Sequence, residues 1–170
     1  MTGAVVWVTG LPSSGKSTFA ERAVAGLRTA GTPALLLDGD EVRAALEPAP
    51  GYDAAGRDAF YRTLARLAAL AAGQGLVAVV AATAHKRSHR EFARALAPRL
   101  LEVFLDVPLA ECARRDPKGL YARAAAGSLA ALPGVGEPYE APGAPDVVAR
   151  GGRDEDALAA LLERLSSHKG

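Results

Sequence analysis

Short apolar runs alternate along this chain with longer segments in which apolar residues recur at helical spacing. Residues 4–9 form a mostly β-branched run, the pattern of a strand buried on both faces. Similar runs lie at 33–37, 76–82, 101–107 and, less regularly, 146–150. Helical spacing marks 16–29, 53–73, 88–96, 109–115 and 154–166, with several segments closed by glycine or proline. Parallel strands need such crossovers. The alternation therefore predicts an α/β fold, a five-stranded parallel sheet flanked by helices, in a single domain over 1–170.

Between the better-patterned segments, residues 128–145 carry four prolines and several glycines, which marks them as a mobile surface loop or lid. No internal repeat or interdomain linker interrupts the pattern.

Composition narrows the function classes. Apolar residues make up 49% and charged residues 23%, the balance of a folding globular chain. A formal net charge of +1 supplies no broad basic field for nucleic acid, and no aromatic platform replaces it. No apolar run reaches the roughly 20 residues that a bilayer span needs, so no membrane partner is expected. The chain opens on a strand pattern and has one cysteine, Cys112, which cannot close an internal disulfide; a cytoplasmic location is expected.

Against that near-neutral background any anion must be captured locally, and one segment is built for it. Gly10-Leu11-Pro12-Ser13-Ser14-Gly15-Lys16-Ser17 satisfies G-x-x-x-x-G-K-[ST] between a strand and a helix, where a phosphate-binding loop belongs. Its glycines let successive N–H groups point into an anion-sized nest. Lys16 is expected to reach the β- and γ-phosphates of ATP, and Ser17 to complete the shell of a Mg²⁺ ion. The helix N-terminus adds partial positive charge, and Thr18 is a neighbouring contact.

A second candidate site is Leu37-Asp38-Gly39-Asp40-Glu41-Val42-Arg43, which follows a strand and so lies at the carboxyl edge of the sheet. A phosphoryl acceptor needs its hydroxyl oriented and partly deprotonated, which suits Asp40. An arginine such as Arg43 can grip an anionic acceptor with two parallel bonds.

Together with Arg115-Asp116-Pro117-Lys118-Gly119-Leu120-Tyr121 and Pro138-Tyr139-Glu140, these motifs make nearly the whole chain resemble adenylylsulfate kinases, which are P-loop NTPase-type kinases. The resemblance implies Mg²⁺- and ATP-dependent phosphorylation of the 3′-hydroxyl of adenylylsulfate to give 3′-phosphoadenylylsulfate, and it implies homodimers. It assigns Lys16 and Asp40 to catalysis. Asp38, Asp40, Arg43, Arg57, Arg87, Lys118, Gly119 and Leu120 fall to a small anionic acceptor, and Arg115 lies nearer the ATP base. The Pro138-Tyr139-Glu140 segment would belong to a lid closing over bound substrates.

Several positions depart from the family pattern. Gly56 and Phe60 stand where an aspartate and an asparagine flank Arg57 in the family. Ala81-Ala82-Thr83-Ala84-His85-Lys86-Arg87 replaces Ser-Phe-Ile-Ser-Pro-Tyr-Arg, so the serine position sometimes described as a phosphorylated intermediate is Ala84. Leu132-Pro133-Gly134-Val135-Gly136 replaces Phe-Thr-Gly-Ile-Asp. With Ala82 and Leu132 in place of two phenylalanines, two faces of a base sandwich are missing, together about 2–6 kcal/mol of stacking. Phe60 and Tyr61 are the rings nearest in sequence that could replace them.

Three readings therefore stand: an adenylylsulfate kinase with an altered base pocket, a kinase of the same build with another nucleotide-linked or small hydroxyl acceptor, and a non-catalytic nucleotide-binding module. A GTPase is disfavoured because no Asn-Lys-x-Asp segment is present. His85, His89 and His168 make no metal-ligand set and are expected to be solvated or anion-facing. Lys86, Arg87 and Arg90 either meet an acceptor anion or stand solvated at a helix start. Cys112 reads as a packing residue.

Overall fold

The computed structural model describes residues 3–129 and 131–167. Among them β1 (Ala4–Gly10), α1 (Lys16–Thr29), β2 (Ala34–Asp38), α2 (Gly39–Ala45), α3 (Ala54–Gly73), β3 (Val77–Ala81), α4 (Arg87–Leu96) and β4 (Leu100–Leu105) follow one another. Then come α5 (Leu109–Arg115), α6 (Leu120–Ala125), the two-residue strands β5 (Leu132–Pro133) and β6 (Gly136–Glu137), β7 (Val147–Ala149) and α7 (Glu155–Ser166). His168 lies outside the described residues.

The five longer pairing strands form one sheet in the order β2-β3-β1-β4-β7, with every pairing parallel. Their two-sided burial follows the strand period of two. In β1, Ala4, Val6 and Val8 enter one apolar cluster with Phe19 and Val24 of α1 and Leu161 of α7. Val5 and Trp7 enter the opposite cluster with Phe60, Leu64 and Ala68 of α3. The alternation repeats in β3, where Val77 and Val79 face α1 while Ala78 and Val80 face α3. Continuous apolar runs are thus explained by a helical layer on each face.

Helix starts are set by aspartates one residue outside the helix. Asp53 accepts from the Gly56 amide at 3.2 Å and Asp154 from the Ala157 amide at 3.0 Å, so these two residues, read from sequence as first helical positions, are caps. Two short helices, α2 and α6, lie in segments that the sequence pattern leaves as connections.

Because all five strands run parallel, Gly10, Asp38, Ala81, Leu105 and Ala149 end on one edge. The order turns about β1, with β2 and β3 on one side and β4 and β7 on the other, so the loop leaving β1 opens at the crevice where α/β sheets hold ligands.

Candidate active site

The loop after β1 is a tight nest. Leu11 O accepts from the Ser14 amide at 3.2 Å and from Lys16 Nζ at 2.8 Å. Ser13 and Gly15 take left-handed backbones, with φ of 65° and 99°. Gly10, the last residue of β1, has no room for a side chain: a Cβ there would lie 2.7 Å from Ser14 Oγ. Pro12 O accepts from the Tyr121 hydroxyl at 2.7 Å, so α6 pins the outer turn of the loop. Sequence alone assigns Tyr121 no role; its buried hydroxyl is what ties the 115–121 motif to the phosphate loop.

Lys16 begins α1, with Gly15 as its cap residue. Withdrawal of its ammonium from water, followed by the nearby Lys118, lowers its pKa to about 8, while Asp40 and Asp38 oppose the shift. The next residue, Ser17, donates from Oγ to Asp38 Oδ2 at 2.5 Å. Asp38 uses its other oxygen to cap α2, accepting from the Asp40 amide at 3.0 Å. Asp40 in turn pairs with Lys118. The phosphate loop and the Asp38-Gly39-Asp40 turn are therefore joined through side chains at the sheet edge. Gly39 permits this: a Cβ there would press on Ala81 O at 3.1 Å.

Lys118 is carried by a turn that Asp116 organises, its carboxylate accepting from the amides of Tyr121 and Ala122 at 3.1 and 3.0 Å. Gly119 supplies the left-handed residue before α6, with φ of 66°. Leu120 packs toward an apolar cluster of Val107, Cys112, Tyr121 and Leu132 that also contacts Leu11. Cys112 is fully buried there, a packing residue as expected from sequence.

On the other side of Lys16, a cleft of about 490 Å³ is lined by Thr18, Arg115, Arg150 and residues 151–154. Arg115 is held by Glu111, whose carboxyl is lowered to about 2 by hydrogen bonds from Arg114 and Arg115. Sequence reasoning missed the 150–154 loop. Its signal was the Gly151-Gly152 pair directly after a strand: a Cβ on Gly152 would lie 2.7 Å from Gly15 O, so this loop rests on the phosphate loop itself.

Arg43 is nearly buried, and its guanidinium sits between two rings, 4.2 Å from the Tyr52 centroid and 4.1 Å from that of Phe60. Its Nη1 donates to the carbonyls of Pro50 and Gly51 at 2.9 and 3.2 Å. This local packing accounts for two departures. Phe60 is the inner wall of the arginine, and Gly56 has no space for a side chain, since a Cβ would lie 2.4 Å from Gly51 O. Phe60 and Tyr61 are both buried, so neither replaces the missing base-stacking faces. Tyr52, which sequence reasoning overlooked, is 66% exposed with one face on Arg43. Leu132 is 4% exposed and enclosed in the apolar cluster beside the phosphate loop.

The proline-rich segment is not free along its whole length. Arg57 Nη2 donates to Ala131 O at 2.7 Å. A second cavity, about 500 Å³, lies between Leu11 and Gly134, Gly136, Glu137, Pro138 and Tyr139. Beyond it, residues 137–141 form a strap bound to the sheet edge. Tyr139 stacks on Phe104, and because Thr9 Oγ1 donates to Thr83 O at 2.6 Å, the Tyr139 hydroxyl donates to Thr9, at 2.8 Å. Burial pushes the Tyr139 hydroxyl up to about 12, consistent with its acting as a donor. Arg87, expected at the acceptor, is turned to this strap: its amide donates to Glu140 Oε1 at 2.9 Å and its Nε to Ala141 O at 3.1 Å.

Arg90 and the two imidazoles are not solvated, which corrects the expectation from sequence, whereas Lys86 and Arg87 keep part of their side chains in water. Arg90 is buried and donates to Ala84 O, Glu140 O and Glu102. His85 and His89 are 2% and 7% exposed, because the loop after β3 and the first turn of α4 lie under α3 and the strap. Among the described residues no group of three or more potential ligands could hold a metal ion by histidine, cysteine and carboxylates alone. No helix among them is long and apolar enough to cross a membrane.

A family model described as adenylylsulphate kinase matches residues 2–150. The bifunctional enzyme NodQ of Azospirillum brasilense is 46% identical over 170 residues, covering 98% of this chain and 27% of that protein. The chain spans about a quarter of the length of the bifunctional relatives that it matches. The adenylyl-sulfate kinase of Paraburkholderia xenovorans (strain LB400) is 41% identical over 167 residues, with 98% of this chain and 92% of that protein covered. The APS kinase CysC of Mycobacterium tuberculosis, solved in complex with AMPPNP and APS, is similar in structure, with a TM-score of 0.89 and 37% identity over 97% of this chain and 98% of that one.

Proposed function

The chain belongs to the adenylylsulphate kinase family, and we propose that it transfers the γ-phosphoryl group of ATP to the ribose 3′-hydroxyl of adenylylsulfate. The observation that carries this reading is the joining of the phosphate loop to the acceptor-side turn through Ser17–Asp38, with Asp40 paired to Lys118 next to Lys16.

In this reading the amides of residues 11–17 and the Lys16 ammonium bind the β- and γ-phosphates, and the cleft walled by Arg115 and residues 150–154 takes the base of ATP. Ser17 Oγ and Asp38 Oδ2 are hard oxygen donors facing each other, a pair that fits Mg²⁺ and would hold it. That ion, when bound, supplies neutralisation of phosphate charge. Asp40 orients the acceptor hydroxyl and takes its proton as the ribose oxygen bonds to the γ-phosphorus and the bond to the β,γ-bridging oxygen breaks, releasing ADP. Lys118 holds the Asp40 carboxylate in place and adds positive charge beside the transferred group. Ala84 leaves direct transfer as the route, with no serine at that position to carry the phosphoryl group.

On the acceptor side, Arg57 meets the anionic part; Arg43, expected to grip it too, gives its guanidinium to the Pro50 and Gly51 carbonyls and fixes the inner face of Tyr52, whose exposed face offers the aromatic platform that Ala82 and Leu132 do not. A homodimer belongs to the same reading, and sedimentation velocity on the purified chain tests it.

A second reading, a kinase of the same build with a different acceptor, is favoured by the enclosure of Leu132 and Phe60, which leaves Tyr52 as a single stacking face. One assay separates the two: acceptor-dependent ADP release with Mg²⁺-ATP, with adenylylsulfate set against other nucleotide-linked hydroxyl compounds, and the product's phosphate position read by mass spectrometry. Turnover with adenylylsulfate that is lost in Lys16→Ala and Asp40→Ala supports the first reading. Turnover only with another compound replaces it with the second, and no turnover with any acceptor sinks both.

A further inference from the structure

Two buried imidazoles that the phosphoryl-transfer chemistry does not use lie between α3, which carries Arg57, and the 137–141 strap. From the α3 side, Asp58 Oδ1 accepts from His89 Nε2 at 2.7 Å. The His89 and His85 rings then meet edge to face, 5.2 Å between centroids, and the Tyr61 ring of α3 packs on both at 4.6 and 6.3 Å. On the far side, His85 Nε2 lies 3.2 Å from Glu137 Oε1, and His85 O accepts from the Glu140 amide at 2.8 Å. The same α3 reaches the other end of the proline-rich segment through Arg57 and Ala131 O. One helix therefore holds that segment at both ends, once through an acceptor-side arginine and once through a chain of four side chains.

The Nδ1 atoms of His85 and His89 are buried without a hydrogen-bond partner. Buried polar atoms are seldom left so, because each costs its lost hydration. An apolar pair would fill this layer without that cost, so a packing role alone does not account for two imidazoles here. Each ring does use its other nitrogen toward a carboxylate on a different element.

We propose that Asp58, His89, His85 and Glu137 form a positioning chain that fixes the 137–141 strap to α3, so that Arg57 and the strap present themselves to the acceptor as one body. This rests on the acceptor reading of Arg57. His85 is the central link because it fastens the strap twice, by side chain and by main chain, and it touches neither the phosphate loop nor the Asp40–Lys118 pair in the contacts described. Its loss is expected to raise the acceptor KM, through a strap that no longer sits against α3, while leaving the ATP KM nearly unchanged.

The test is amide hydrogen exchange on the full chain, read at 131–141 and, as an internal reference, in α1. In His85→Leu, exchange at the strap is expected to rise about tenfold, the scale of one lost polar contact, with α1 unchanged. His85→Gln, which keeps an N–H able to face Glu137, should recover most of that protection. Glu137→Ala approaches the same contact from a half-exposed residue, so it probes the chain even if the leucine variant fails to fold. Kinetics should show a rise of about tenfold in acceptor KM for His85→Leu and Glu137→Ala, with kcat and ATP KM within about twofold. Strap exchange unchanged in Glu137→Ala, or a rise in His85→Leu shared equally by α1, overturns the proposal. If the wild-type chain turns over no adenylylsulfate, the acceptor reading fails, while the exchange measurement still decides whether the chain holds the strap.

Discussion

Ser17 Oγ donates to Asp38 Oδ2 at 2.5 Å across 21 positions of sequence, joining the first turn of α1 to the end of β2. Asp38 is thereby held from both sides, since its Oδ1 caps α2. Replacing it with asparagine keeps an oxygen for the cap and removes the charge. Asp38→Asn is expected to lower kcat/KM for Mg²⁺-ATP by about 100-fold and to raise the Mg²⁺ concentration for half-maximal rate. The melting temperature should change little, because asparagine caps helices as well as aspartate does. A Mg²⁺ titration of the initial rate, paired with thermal denaturation, reads both outcomes; an unchanged Mg²⁺ dependence would remove Asp38 from the ion's shell.

Lys16 gives the site an alkaline limit. Its pKa is lowered to about 8, first by removal of the ammonium from water and then by Lys118. Above that pH the free protein carries a neutral lysine where phosphate charge must be met. The kcat/KM for ATP should therefore fall about tenfold per pH unit above the limit. Lys16→Arg, slower at every pH because the fork does not fit a point-charge site, should lose the limb, since guanidinium stays charged. A wild-type profile flat to about two pH units above the limit contradicts this account.

The sheet and the phosphate loop were legible because each rests on a local rule. Apolar runs such as 4–9, and 76–82 from Val77 onward, are buried on both faces, and the glycine spacing of 10–17 is what its backbone requires. The acceptor side was less legible because its geometry depends on contacts distant in sequence. In sequence Phe60 reads as a lost asparagine or a substitute stacking ring, and only the fold sets Arg43 against it; Gly56 reads as a lost carboxylate, and only the fold fills its space with Gly51 O. His85 and His89 carry polar side chains beside basic residues, which reads as surface. Only the layering of α3 and the strap over them reveals their burial.

Tyr52 illustrates the same limit from the opposite direction, an exposed ring in a proline- and glycine-rich loop to which the sequence alone assigns nothing. Its inner face is fixed by Arg43 and its outer face is open. Tyr52→Ala is expected to raise the acceptor KM by about 5- to 150-fold, the scale of one base–aromatic stack. Tyr52→Phe should stay within about threefold of wild type, because the ring and not the hydroxyl carries the contact. Equal KM values in all three proteins would exclude stacking on this residue.

Gly152 lies against the phosphate loop, and a methyl there should damage the nucleotide site. Its Cβ would lie 2.7 Å from Gly15 O and 2.9 Å from Thr18 Cβ, so the phosphate loop or the 150–154 loop must move. Gly152→Ala is expected to weaken ATP binding by about tenfold or more, and to destabilise the fold by about 1–3 kcal/mol. Gly73→Ala, at the last residue of α3 and not among the residues lining the cleft, where an added methyl would meet nothing within 4 Å, is the control and should bind ATP like wild type. Calorimetric titration of both variants with a non-hydrolysable ATP analogue compares them directly.

The histidine layer predicts a specific acid sensitivity. His85 and His89 are both held below 6.5, first by burial. Around them stand Asp58, Arg57 and Tyr61 from α3, Glu137 from the strap, and Lys86 and Arg90 from the base of α4. For His85 the other ring is the next cause, and for His89 the Asp58 carboxylate partly offsets the burial. In the unfolded chain the imidazoles take up protons near pH 6.5, whereas in the native layer they resist. Between the lowered native values and 6.5 the unfolded state binds more protons, so stability is complete above that range and falls as pH drops through it. Asp58 is itself held below 3.8, chiefly by the His89 hydrogen bond, so its own loss of charge lies at a lower pH and does not mask the effect. Denaturant unfolding at about pH 7.5 and about pH 5.5 should show a larger loss of stability for wild type than for the double variant H85Q/H89Q, which has no imidazole to titrate in that window. Equal losses in the two proteins would locate the acid sensitivity outside the histidine layer, and a gain on acidification would mean that the protonated rings are the better bound form.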